Sequence, residues 1–183
     1  MGEICNSSLG KHIDGDSLQI QRFLPGPIER VWEYLTDSEL RSEWLASGSM
    51  LPEEGSEFTF TWRNDELDGN PDRGAAAADP DCSADEHSMT CHIVSWEPPT
   101  KLAFTWSNSG DVTIELETRG DEVLLTLTHN KLPDQSTVIG VSTGWHAHLD
   151  YLIARLSGMQ PEPFWENYNR LKAEYEELVA EHA

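Results

Sequence analysis

A chain of 183 residues, 38% hydrophobic and with seven Trp, is sized for one domain with a real core. Acids outnumber bases 33 to 12, and the formal charge of -21 repels phosphate backbones and anionic lipid surfaces, which argues against nucleic-acid or membrane partners. Three cysteines without metal-type spacing, no long apolar run and no basic-then-apolar leader point to a reducing, cytoplasmic setting without disulfides, membrane spans or a secretion signal.

Residues 1–16 hold Gly, Ser, Asn and Asp with no period and read as a loose arm. Ser17 to Leu24 alternates, with Leu18, Ile20 and Arg22 on one side, and predicts a first strand. Pro25-Gly26-Pro27 breaks it, and Pro27 suits the first turn of a helix marked by Ile28, Val31, Trp32 and Leu35. Thr36-Asp37-Ser38 ends that helix and caps a second, with Leu40, Trp44 and Leu45 on its apolar side. Ser56 to Arg63 alternates strictly, Phe58, Phe60 and Trp62 facing one way.

The pattern then collapses. Residues 64–86 carry Asp, Gly, Pro and Ala with only Leu67 as a bulky apolar group, which predicts a mobile acidic insertion. Four further strands follow: Ser88 to Trp96, Lys101 to Ser107, Asp111 to Thr118 and Glu122 to Asn130, joined by tight turns. Beyond Leu132-Pro133-Asp134 the period changes from two to 3.6, with Trp145, Leu149, Leu152, Ile153 and Leu156 in one stripe and Gly158 as the stop. A last segment places Phe164, Tyr168, Leu171, Tyr175 and Leu178 at helical steps.

Tight turns between the later strands exclude a parallel βαβ sheet. The expected fold is α+β: a curved six-stranded antiparallel sheet wrapped around a long C-terminal helix, with two short helices after the first strand. The expected organisation is a flexible arm over 1–16, a domain over 17–158 carrying the insertion 64–86, and an added amphipathic helix over 159–183. That helix either closes the domain or pairs with a second copy through Phe164, Tyr168, Leu171, Tyr175 and Leu178.

Pro27-Ile28-Glu29-Arg30-Val31-Trp32, Trp44, Gly55 with Phe58, Glu97-Pro98-Pro99 with Leu102, Phe104-Thr105-Trp106, and Gly144-Trp145 with Leu149 carry a resemblance. Over about Ser17 to Ser157 the chain resembles the SRPBCC or START-like superfamily, with its helix-grip fold. Within it, the chain looks like the branch related to the C-terminal domain of the activator of the heat-shock-protein-90 ATPase. That resemblance implies a fold that binds apolar molecules in some members, is enzymatic in others and acts with chaperones in others. It transfers no catalytic motif, and the insertion at 64–86 departs from the common pattern.

The inward sheet residues either fill a solid core or leave a gap, since a strongly bent sheet cannot press every aromatic against one helix. The second reading predicts a pocket for a small apolar or aromatic ligand lined by Trp44, Met50, Phe60, Trp62, Trp106, His129, Trp145 and Leu149, with His129 as its polar handle. His146 and His148 lie on opposite borders of the helix stripe and do not converge on one ion. No metal or cofactor is expected, and no Gly-rich phosphate loop appears. The function so predicted is non-enzymatic binding of a small hydrophobic molecule. A cochaperone-like partner of a heat-shock chaperone is the first alternative, and a cyclase- or hydrolase-like enzyme using a pocket His is the second.

Overall fold

The alternating segments pair into one antiparallel sheet. The computed structural model describes residues 5–13, 16–68, 86–107 and 110–181. Its strands are β1 (Lys11–Ile13), β2 (Ser17–Pro25), β3 (Glu57–Trp62), β4 (His87–Glu97), β5 (Lys101–Thr105), β6 (Asp111–Arg119) and β7 (Glu122–Asn130). They lie in the order β1-β2-β7-β6-β5-β4-β3, each pair of neighbours antiparallel. In β4, Ile93 pairs with Phe104 but Ser95 with Ala103, so Val94 is an extra residue that bends the strand.

The sheet has seven strands where six are expected. The added one is β1, which lies in the segment read as a loose arm and pairs Lys11 with Gln19 and Ile13 with Ser17. A three-residue edge strand with mostly exposed side chains needs no apolar alternation, so nothing in the composition marks it. Asn6 exchanges two hydrogen bonds with the Phe23 backbone, at 2.8 and 2.7 Å, and the Gly10 N–H donates to Tyr175 Oη at 2.7 Å. The described part of the arm is therefore tied to the sheet. Residues 1–4 and 14–15 lie outside the described residues.

The helices are α1 (Ile28–Thr36), α2 (Ser38–Ser42), α3 (Asn64–Leu67), α4 (Gln135–Ser157) and α5 (Phe164–Glu181). Pro27 is the cap of α1 rather than its first helical residue. Asp37 caps α2 by accepting from the N–H groups of Glu39 and Leu40, and Asp134 caps α4 by accepting from Thr137 N–H. Gly158 ends α4 at φ 66°, a left-handed conformation that glycine adopts without a Cβ penalty.

The stripe predicted for α4 understates its burial. Ser142, Thr143, His146, His148 and Tyr151 are buried as well, because α4 is covered by the sheet on one side and by α5 on the other. Phe164, Tyr168, Leu171 and Tyr175 of α5 are buried; Leu178 is half-buried and Val179 takes the inward place. The face named for pairing with a second copy is thus used within the chain.

The start of the insertion is anchored. Leu67 is buried, Asp68 accepts from the Tyr151 hydroxyl and from Phe164 N–H, and Asp65 accepts from the Trp165 indole at 2.6 Å. Asp68 thus supplies an acceptor at the start of α5, where backbone N–H groups have no intrahelical partner, and Asp65 holds a side chain of the same first turn. The rest of the insertion, residues 69–85 with Cys82, lies outside the described residues. Among the described residues no helix is long and apolar enough to cross a membrane.

Candidate functional site

β3 and β5 deliver two tryptophans to the same end of the sheet. Trp62 closes β3 and Trp106 follows β5, with ring centroids 5.7 Å apart. Trp145 of α4 comes down on Trp106 at 5.1 Å. Beside this aromatic wall is a cavity of about 170 Å³, open to the surface and lined by Leu45, Trp62, Trp106, Gly140, Val141, Gly144, Trp145 and His148. Its cause is local. Gly140 and Gly144 stand four residues apart on one face of α4, and a Cβ added at either meets nothing within 4 Å. The helix presents backbone where the sheet presents rings, and the gap remains. A larger hollow of about 520 Å³ at the β6–β7 turn has Glu29, Asp121 and Glu122 in its walls, a setting for water rather than for an apolar guest.

Of the residues predicted to line the pocket, Trp62, Trp106 and Trp145 do. The other five do not, each for a packing reason. Trp44 is fully buried behind the wall and its indole donates to the Tyr34 carbonyl at 2.8 Å. Phe60 is buried with the Arg41 guanidinium 5.2 Å above its ring. Met50 is half-buried, its sulfur 3.5 Å from Arg41 Nη1. Leu149 faces the core. His129 is fully buried and accepts from the Trp145 indole N–H through Nδ1 at 3.2 Å, so the expected polar handle holds the wall in place instead.

The polar residue at the cavity is His148. Gly140, Gly144 and His148 recur every four residues, and that spacing was the available signal. The Trp44 carbonyl can only accept, so His148 Nδ1 carries the proton in their 2.7 Å hydrogen bond. Burial lowers the His148 pKa to about 4, so the ring is neutral at pH 7 and Nε2 is an acceptor.

On the opposite side of α4, His146 shares a 3.1 Å hydrogen bond with the Tyr175 hydroxyl and stands 3.8 Å from Asp150. Burial, with repulsion from Arg22 and Arg170, lowers His146 to about 3, and burial raises Asp150. Both groups are pushed toward neutrality, so their approach is not a strong ion pair. Arg22 is buried nearby with Nε and Nη2 unpartnered. Ser142 is buried in α4 with its hydroxyl 3.5 Å from His12 Nε2, the outer limit of a hydrogen bond, and burial pushes the Cys91 thiol up to about 12, so that thiol is not an activated nucleophile. Among the described residues no three His, Cys, Asp or Glu side chains gather as a metal site would require.

The fold is shared with solved structures. A protein of Bordetella parapertussis, solved by NMR in solution, is 32% identical and superposes with a TM-score of 0.75 over 96% of this chain and 94% of its own. CalU16 from Micromonospora echinospora is 20% identical, with a TM-score of 0.64 over 93% of this chain and 94% of that one. DynU16, from the dynemicin biosynthetic locus, is 21% identical, with a TM-score of 0.59 over 80% of this chain and 49% of that one. The last two show likeness of fold alone. No functionally curated protein matches the sequence. The family model described as Activator of Hsp90 ATPase homolog 1-like protein matches residues 25–157, from the end of β2 through α4. With most of the chain inside that match, and with the helix-grip arrangement in place, the chain belongs to the family of activator of Hsp90 ATPase homolog 1-like proteins.

Proposed function

We propose that this protein binds one small apolar, ring-sized molecule in the cavity between α4 and the Trp62–Trp106 wall. The observation that carries the reading is the apolar cavity of about 170 Å³ with three tryptophans in its walls. Drug-sized ligands occupy cavities of roughly 300–1,000 Å³, whereas one of about 150 Å³ lined by apolar side chains admits benzene. The guest is therefore a single ring or its equivalent. Aromatic walls give contact area at low entropic cost, and no basic patch is involved, so affinity is expected to change little with salt.

The test uses the two glycines. Toluene and naphthalene are titrated while Trp fluorescence is followed. Gly144→Leu is expected to weaken binding at least tenfold while stability rises by about 1 kcal/mol, since leucine is the better helix former and the space is open. Unchanged affinity in a folded Gly144→Leu protein would place the guest elsewhere and overturn the reading. The family description favours a second reading, a cochaperone that activates a heat-shock chaperone ATPase. Reproducible stimulation of such an ATPase by the purified protein would support it.

A further inference from the structure

Of the eight residues around the cavity, seven are Leu, Val, Gly or Trp, whose side chains offer no acceptor. His148 alone brings one. Its Nδ1–H is committed to the Trp44 carbonyl at 2.7 Å, which fixes both the ring and its tautomer. Nε2 then carries a lone pair with no hydrogen-bond partner among the described residues. The sealed and unpaired polar side-chain atoms among those residues belong to Arg22 and Asn64 only, so Nε2 is not walled in. The open space beside this ring is the cavity.

We propose that the natural guest is a phenol-like molecule, a small ring carrying one hydroxyl that donates to His148 Nε2. This rests on the cavity reading above and narrows its ligand class. The physical argument is about what an apolar site rejects. A hydroxyl entering a cavity without an acceptor loses its water and gains nothing, so a wholly apolar pocket would prefer the bare ring. One fixed acceptor reverses that preference. His148 is 6% exposed, and its Nδ1 bond prevents the ring from turning away. An acceptor held in this way costs no reorganisation when the donor arrives. Carboxylates and phosphates are disfavoured, because the ring offers no positive charge at pH 7 and the protein carries a net charge of -21.

The experiment compares p-cresol, toluene and anisole on the full chain at pH 7, by calorimetry and by ¹⁵N NMR of the histidine side chains. The expected result is p-cresol binding at least tenfold tighter than toluene or anisole, with an upfield shift of the His148 Nε2 resonance for p-cresol alone. His148→Asn keeps an amide N–H for the Trp44 carbonyl and removes Nε2. It should bring the p-cresol affinity down toward that of toluene, both measured on the same variant, because the Asn Oδ1 does not reach the position of Nε2. Equal affinity of p-cresol and toluene, or an unmoved Nε2 resonance, would overturn the proposal and leave the cavity reading standing. No binding of any of the three would overturn the cavity reading and this proposal with it. The ¹⁵N measurement is made on the unmodified protein, so it decides even if the variant fails to fold.

Discussion

Arg41→Ala is expected to cost about 4 kcal/mol of stability, the largest loss from any single side chain outside the apolar core. Arg41 is 1% exposed, and its hydrogen-bond partners among the described residues are backbone carbonyls and the Met50 sulfur rather than carboxylates. Its Nη1 donates to the carbonyls of Leu35 and Thr36 at 3.2 and 3.1 Å, its Nε to Ala46 at 3.1 Å and its Nη2 to Gly48. Leu35 and Thr36 close α1, where carbonyls have no intrahelical donor and a cation is favoured by the helix dipole. Ala46 and Gly48 belong to the segment that carries Leu45 to the cavity. One guanidinium therefore joins the end of α1 to that segment and covers Phe60. Burial lowers its pKa to about 10, which leaves it charged at pH 7. Arg41→Lys should still cost about 2 kcal/mol, because a single ammonium cannot reach acceptors spread around a planar fork. Urea denaturation measures both. An Arg41→Lys protein as stable as the parent would show that the fork is not the tie.

Acid should weaken the protein before its carboxylates titrate. His146 and His148 have folded pKa values of about 3 and about 4 against 6.5 for an unfolded imidazole. Between those limits the unfolded chain binds protons that the folded chain does not, so stability falls as pH drops. By pH 4 each imidazole accounts for about 3 kcal/mol. Asp150, whose pKa is raised by burial, works in the opposite direction and offsets part of this. Asp111 and Asp134 have lowered values, so their losses come below 3.8, under the histidine window. Denaturation midpoints at pH 7, 6 and 5 should fall steadily for the parent and more gently for His148→Asn. Parallel slopes for the two proteins would mean that His148 is not the buried neutral base described above.

The sheet was legible because its strands are half-buried: Phe58, Phe60 and Trp62 repeat at every second position, and no other structure satisfies that period. The cap at Thr36-Asp37-Ser38 and the stop at Gly158 were legible from local chemistry, a side-chain acceptor before a helix and a glycine free to turn left-handed after one. β1 was not, since an exposed three-residue edge has no pattern to display. The site was only partly readable. Period two says that Phe60 and Trp62 share a face, but not that Arg41 covers the first and leaves the second beside the cavity. His129 was chosen because it faces inward, and it does, yet its partner is the Trp145 indole. The cavity depends on the absence of side chains at Gly140 and Gly144, and a search for lining groups overlooks a wall made of backbone.

The placement of α4 between the sheet and α5 would also set how quickly a guest of the proposed kind exchanges. Lifting the helix would break contacts on both of its faces at once, including the Tyr175 bond to His146 and the core contacts of Leu149. Trp106 is the most exposed ring of the wall, half-buried where Trp62 and Trp145 are buried, although its backbone N–H is tied to the Gly110 carbonyl at 2.8 Å. A guest of the kind proposed would therefore enter and leave on the cavity's open side past the half-buried Trp106 ring, and not by the slower displacement of a helix. Such a guest would come and go within a scaffold that keeps its shape.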